Sequence, residues 1–536
     1  MSLRDALIER MQRPQRHRLL QGFPAVPAMR KAGPAAQVDG PLTGLHRWFD
    51  GALHDGDYET ARESKTESER DPDEQPQIPG VAFHEQPRGR AILARGDLSE
   101  PAHFTVDRKR ALIVGVIPHT QCIPHKDACG FCTFPHDRPN NRLRERMVDN
   151  AIEDIAQVCE DERVHGRDVE AIYLGGGTAN LSTPEEITSI VETLARGLSI
   201  ASAELTLEGA PHLFDRLLSS HLKNLARLPV AQRRISIGVQ TFEPNYLRMM
   251  GRESFGDAEL VRRLVRRCAA LSITTSCDLL FNLPGQERAD MLRDVDTAVS
   301  FGLEQVCLYN LILYEGLGTP WANEREFIEA MPSNQRACAN WMALRERLIA
   351  HGYVQTTLTN FEREDVTTSA RRFRYETASF SVERTDGLGF GPLSLTTFVN
   401  ADERRGIKLL RRKSNAAGAL WSADDLMFRY DEAGLKALFL TRGLAKTRLD
   451  ARVYEGLFES SLHSDLREPI AVLEREGLLH TSDEGIALTP RGMFYADAAV
   501  SILAMGLASA SDGAGLHTSD LLSERYVAGH HYGGMG

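Results

Sequence analysis

An α/β fold built on a parallel sheet, curved into a partial, TIM-like (β/α)6 barrel, is predicted by three features of this 536-residue sequence. Six short β-branched or apolar runs each lead through a Gly- or Pro-marked turn into a helical pattern. The units recur at fairly regular spacing, which suits either a curved, partly closed barrel or an open doubly wound sheet. Polar and glycine-rich residues gather where successive runs end, the face on which barrels of this kind build active sites, and this favours the barrel.

Taken in order, residues 1–108 read as an irregular N-terminal extension. The opening MSLRDALIERMQRPQRHR is charged and amphipathic, unlike a secretory leader. Residues 54–80 carry many charges and almost no large apolar side chains, as a flexible linker or surface loop does. Order is expected from Ala111, in a barrel over 109–365. The strand-like runs cover 111–117, 171–174, 204–207, 234–239, 274–280 and 305–313. Helices are predicted over 143–162, 184–198, 212–228, 257–271, 286–301 and 334–351. A second domain, 366–504, shows helices near 424–441 and 468–476, a hairpin over 478–488 and a helix from Pro490. That order resembles a winged-helix-like α+β module. Residues 505–536 read as a disordered tail rich in Gly, Ser and His.

Net charge is −11, which argues against a general nucleic-acid-binding role, and the Glu and Asp that pepper the winged module favour a structural or substrate-covering role for it over DNA binding. No apolar run approaches the ~18 residues of a membrane span. Of eight cysteines, five (Cys159, Cys268, Cys277, Cys307, Cys338) are scattered singly and read as buried small apolar residues. The expected setting is a reducing cytoplasm, where clustered cysteines bind metal more often than they pair.

The other three cluster in QCIPHKDACGFCTF: Cys122, Cys129 and Cys132. Three thiolates on one loop can hold an iron–sulfur cluster with one iron open, or zinc with His119, His125 or His136 as fourth ligand. Phe131, between the ligands, can keep water away. Gly175-Gly176-Gly177-Thr178 ends run two, where glycines admit a ligand close to the backbone. It lacks the spacing of dinucleotide sites and the Lys of a P-loop. Glu208 ends run three, Gln240 ends run four and Asp278 lies in run five. Each is a polar group on an apolar strand, able to hold an ammonium or a ribose hydroxyl, or merely to face solvent. Arg252 can pair a carboxylate bidentately or lie on the surface. The basic stretches 371–374 and 404–413 read as solvated surface.

These segments together resemble radical S-adenosylmethionine (SAM) enzymes of the oxygen-independent coproporphyrinogen oxidase type, the HemN-like family. The resemblance covers about residues 111–504. It rests on the cysteine loop, IYLGGGT, ELTLEG, RRISIGVQTFEPNYLRMMGR, CDLLFNLPGQ, LYNLILYEGLGTP, GLGFGP and LTPRG. It implies a [4Fe-4S] cluster on Cys122, Cys129 and Cys132, whose open iron chelates SAM and whose electron cleaves it to methionine and a 5′-deoxyadenosyl radical. It implies that Gly176 and Glu208 contact this SAM. Phe131, Gly177, Thr178, Gln240, Arg252 and Asp278 match positions that line a second SAM. It further implies a small-molecule substrate, an electron donor such as flavodoxin or ferredoxin, and a monomer.

Three departures narrow the reading. The first cysteine spacing is Cys-x6-Cys, three residues longer than the family's usual Cys-x3-Cys. The tyrosine and histidine expected before the first cysteine are absent, because residues 113–118 read IVGVIP, and Phe134 replaces a fourth cysteine. Both losses argue against porphyrinogen decarboxylation. The His-Asn-x-x-Tyr-Trp segment of the related haem chaperones is replaced by TASFSVERTD at 377–386, which argues against a haem carrier. By elimination the branch of methylases and cyclopropanases remains, acting on a small aromatic or heterocyclic metabolite.

Overall fold

A computed structural model describes residues 2–12, 15, 104–123, 129–132, 137–215, 221–314, 317, 319–392, 394–410, 420 and 426–510. Six parallel strands stand side by side in chain order: β1 (Ala111–Val116), β2 (Val169–Leu174), β3 (Glu204–Gly209), β4 (Gln232–Gln240), β5 (Thr274–Phe281) and β6 (Gln305–Asn310). Each falls on a predicted run. They are buried on both faces, which is why they read as continuous apolar stretches rather than alternating ones.

The crossover helices Asn141–Val158, Pro184–Gly197, Ala258–Ala270 and Arg288–Ser300 match expectation within a few residues. Local chemistry starts them. Asn140 accepts from Leu143 N, and Thr183 with Glu186 forms a reciprocal capping box. The helix predicted over 212–228 is two short pieces, Pro211–Asp215 and His221–Leu225, on either side of residues outside the described set.

The sheet does not close. β7 (Tyr353–Gln355) and β8 (Asn360–Arg363) extend it antiparallel beyond β6. On the other edge β9 (Thr385–Phe390) runs parallel to β1, followed by antiparallel β10 (Leu395–Asn400), β11 (Arg405–Leu410) and β12 (Leu426–Tyr430). Among the described residues the sheet thus holds twelve strands and is open, with the six-stranded barrel segment at its centre.

A buried charge triad fastens β9 to β1. Asp386 accepts from Arg110 Nε at 2.8 Å and from Arg167 Nη2 at 2.7 Å, and neither guanidinium is more than 4% exposed. Because β9 follows β1 in register, Gly391 arrives beside Ile117 at the stem of the cysteine loop. A Cβ on Gly391 would lie 1.9 Å from the Ile117 carbonyl oxygen.

Three expectations are corrected. Residues 426–430, read as part of a helix, form β12, because Tyr430 and its neighbours pair with β11 and the helix Glu432–Ala445 begins only after its cap, Asp431. Order does not wait for Ala111. A helix, Leu3–Gln12, buries Ala6 and Leu7 against the second module, with an Arg4–Glu476 ion pair at 2.7 Å. The helix Ala496–Ala510 runs past residue 505, where the tail was expected to start. Residues 54–80 and 511–536 lie outside the described residues.

The second module has a three-stranded sheet, β13 (Arg448–Asp450), β15 (Gly485–Leu488) and β14 (Leu479–Ser482), with the helix Arg467–Arg475 before the hairpin and Pro490–Phe494 after it. The hairpin and both helices fall where predicted. Among the described residues no helix is long and apolar enough to cross a membrane.

Candidate functional site

The carboxyl ends of β1 to β5 bring most of the predicted site residues to one end of the sheet. β1 leads into the cysteine loop, whose two ends are stitched together. Gln121 and Asp137 form an isolated parallel bridge, with Cys122 N donating to Asp137 O and Asp137 N to Thr120 O, both at 3.0 Å. The Thr120 hydroxyl adds a 2.6 Å bond to the Asp137 carboxylate. The segment that carries the long first spacing is therefore closed at its base.

The glycine turn after β2 lies directly on this stem. Thr178 N donates to Gln121 O at 2.9 Å. A Cβ on Gly177 would be 2.5 Å from that same oxygen, and Gly176 holds φ at +129° against Ile117. Only residues without a side chain allow the approach. The Thr178 hydroxyl sits 3.0 Å from Cys122 Sγ.

Cys129 is buried, whereas Cys122 and Cys132 are half-buried. Arg252 Nη1 donates to Cys129 Sγ at 3.3 Å and Nη2 to Gly238 O at 2.7 Å. Its guanidinium lies 4.1 Å above the Phe255 ring. Burial and then Cys129 push the Cys122 thiol up, while the Thr178 hydrogen bond and Arg252 pull it back. Phe131 joins an apolar cluster with Leu311, Leu313 and Trp321 from beyond β6.

Glu208, Gln240 and Asp278 are buried at or near the ends of β3, β4 and β5. Burial first, then Asp278, raises Glu208 to about 8, against hydrogen bonds from the Tyr173 hydroxyl and the Gly176 amide. Among the described residues Glu208 Oε1 and Gln240 Nε2 are buried without a hydrogen-bond partner. Such groups are costly to bury unmet, so an acceptor and a donor stand ready for a polar ligand. Gln240 also takes φ +70° at the irregularity that ends β4, a conformation a non-glycine residue rarely adopts. Asp278 lies deeper, level with Gly238 in β4 and Cys307 in β6.

Four contributors were not singled out from the sequence. Trp321 N donates to Gly130 O at 3.0 Å. Its indole fills the place a Cβ on Gly130 would take, 2.0 Å from Nε1. Asn180 exchanges two 3.1 Å bonds with the Ala210 backbone and so fixes the strand end that carries Glu208. Tyr173 bonds Glu208, and Ser236 bonds Tyr173. Tyr173 and Ser236 lie within IYLGGGT and RRISIGVQTF, and Asn180 lies close to the GGGT turn, whereas Trp321 had no such signal.

For the zinc alternative, His119 is fully buried, its Nδ1 accepts from Gln121 N at 3.2 Å, and burial lowers it to about 4. His125, His136 and Phe134 lie outside the described residues. Among the described residues no three His, Cys, Asp or Glu side chains form a metal-ligating group. The donor set nevertheless suits a thiolate-held cluster, with a hydroxyl on one sulfur, a guanidinium on another and aromatic cover beside the turn. In the basic stretches Arg371 pairs with Glu304, and Arg404 with Glu432 and Glu459, while Lys408, expected on solvated surface, is buried in β11.

Comparison with known proteins agrees with this arrangement. Residues 117–298 match the Radical SAM superfamily. The chain is 29% identical over 259 residues to anaerobilin synthase of Escherichia coli O157:H7, an overlap of 46% of this chain and 55% of that protein. It is 26% identical over 390 residues to the heme chaperone HemW of Bacillus subtilis strain 168, covering 68% of this chain and 92% of the relative. The chain thus spans about half of the first relative and nearly all of the second. Among solved structures, coproporphyrinogen III oxidase (HemN) from Escherichia coli shares the fold, with a TM-score of 0.58 at 17% identity over 78% of this chain and 99% of that one.

Proposed function

We propose that this chain, which carries a radical SAM domain on a HemN-like fold, is an enzyme that methylates or cyclopropanates a small aromatic or heterocyclic metabolite. A [4Fe-4S] cluster and SAM are the cofactors of the superfamily it matches. Cys122, Cys129 and Cys132 would hold the cluster, and a second SAM would donate the methyl group. When bound, the cluster supplies the electron that cleaves SAM and releases the 5′-deoxyadenosyl radical.

The observation that carries this reading is the pair of unmet buried groups, Glu208 Oε1 and Gln240 Nε2, on neighbouring strand ends. The acceptor suits an ammonium or ribose hydroxyl, the donor a carboxylate. Both are what an amino-acid-bearing nucleoside presents. Thr178 and Arg252 orient the sulfurs, while Trp321 and Phe131 exclude water from the turn. One sequence relative is named as a heme chaperone, so a tetrapyrrole is the first heterocycle to test. A low-potential flavodoxin or ferredoxin as donor, a monomeric state and a cytoplasmic setting belong to the same proposal.

Anaerobically reconstituted protein is expected to carry iron and acid-labile sulfide and to form 5′-deoxyadenosine from SAM and a reductant. Cys129→Ala abolishes both. Methyl label passing from SAM to a product supports methylation, whereas carbon dioxide release would replace it with oxidative decarboxylation. The heme chaperone that spans most of this chain favours a second reading, a haem carrier on the same scaffold. Against it, residues 377–386 lack histidine and turn from the helix Tyr375–Ser379 into buried β9. Stoichiometric haem binding without SAM cleavage would favour that carrier.

A further inference from the structure

We infer that Arg252 sets the reduction potential of the cluster by donating a charge-assisted hydrogen bond to the Cys129 sulfur, an inference that rests on the cluster reading above. The sequence suggested that this arginine lines a second SAM. Its geometry points to a further task. The side chain is 3% exposed and held on three sides, by Cys129 Sγ at 3.3 Å, Gly238 O at 2.7 Å and the Phe255 ring at 4.1 Å.

The backbone is fixed as well. Gly251 takes φ +68° to end the helix Pro244–Met250, Arg252 N donates to Leu247 O at 2.9 Å, and Phe255 N donates back to Arg252 O at 2.9 Å. The guanidinium hydrogen-bonds the Cys129 sulfur directly, and its charge also acts on the buried Glu208 carboxyl without a hydrogen bond between them.

A cation beside a cysteine ligand stabilises the reduced, more negative cluster and raises its potential. Hydrogen bonds to the sulfurs are among the factors that set such potentials. Charged donors act about twice as strongly as neutral ones. Thr178, a neutral hydroxyl on Cys122 Sγ, supplies the internal comparison.

The test is a dithionite titration of the reconstituted protein followed by electron paramagnetic resonance. Arg252→Gln is expected to hold its cluster and to cut the reduced-to-oxidised ratio at fixed potential about tenfold, a midpoint lowered by ~59 mV for one electron. Arg252→Lys, which keeps the charge, and Thr178→Val each shift it less. An unchanged midpoint in a loaded Arg252→Gln protein overturns the inference.

Should that variant fail to load, wild-type protein labelled with 15N-arginine decides. Pulsed resonance of its reduced cluster shows coupling to an arginine nitrogen, and absence of that coupling also overturns the inference. Wild-type protein without iron or sulfide would instead refute the cluster itself.

Discussion

Replacing Asp386 by asparagine keeps the side-chain shape and removes one charge, so it isolates the buried triad behind the active-site face. The carboxylate accepts three bonds: Arg110 Nε at 2.8 Å, Arg167 Nη2 at 2.7 Å and Val399 N at 3.1 Å. The Asp386 side chain is 0% exposed, and those of the two arginines 4% and 1%. An asparagine oxygen can still serve one arginine, but its NH2 then faces the other donor, and both buried cations keep their backbone carbonyl partners but no counter-charge. Breaking such a pair costs about 3–5 kcal/mol. At ~4 kcal/mol the unfolding constant rises roughly a thousandfold. That is a large share of the ~5–15 kcal/mol that holds a typical protein folded. Urea denaturation followed by circular dichroism is the assay, with a marked fall in midpoint expected. Adding Arg167→Met to Asp386→Asn removes the facing donor, so the double variant is less unstable than the two effects summed, by roughly 0.5–3 kcal/mol. A loss below ~1 kcal/mol in Asp386→Asn, or strict additivity, would falsify the account of the triad. β9 also delivers Gly391 to Ile117, so weaker cluster retention should accompany the lost stability.

Two further outcomes are expected. Gly177→Ala forces a methyl to within 2.5 Å of the Gln121 carbonyl oxygen, which must move and take the stem of the cysteine loop with it. Iron and sulfide content should fall several-fold at a global cost of about 1–3 kcal/mol, and full loading would contradict the close approach. Glu208, raised to about 8 by burial and Asp278, is mainly protonated near neutrality. A cationic ligand group favours its charged form. Binding of SAM therefore expels a proton, and affinity rises with pH by up to about tenfold per unit until it levels off above about 8. Calorimetry in buffers of different ionisation enthalpy reads the released proton, and Glu208→Gln removes its share. A profile identical in wild type and variant would refute the assignment. In the ligand-free protein the same raised value makes the Glu208 contribution to stability greatest below its ordinary 4.5 and lost as pH climbs towards about 8.

Much of the fold was legible because its signals are local. Six apolar runs separated by helical periods specify parallel strands and crossovers whatever surrounds them, and caps such as Thr183 and Asp257 mark helix starts within a few residues. β12 was misread because a five-residue strand leading straight into a helix offers no periodicity of its own to set the boundary. β9 was not anticipated beside β1, since their pairing joins residues more than 270 positions apart and depends on a buried aspartate that looks ordinary in the sequence.

The site divides in the same way. The cysteine loop, the GGGT turn, Glu208, Gln240, Arg252 and Asp278 were recognisable from residue type and motif, and tertiary structure brings most of them to one end of the sheet. It also sets Arg252 against the Cys129 sulfur, and recruits Trp321 and Asn180, which carry no motif, and Tyr173 from within IYLGGGT.

The amino-acid sequence by itself determined the strand–helix alternation, the thiol cluster and the chemical class of the groups at the strand ends, because those depend on neighbours along the chain. Only tertiary structure decided that the sheet stays open, which sulfur meets the guanidinium and which carboxylate is buried enough to hold its proton. Those outcomes depend on distance and burial between segments remote in sequence, and no local pattern encodes them.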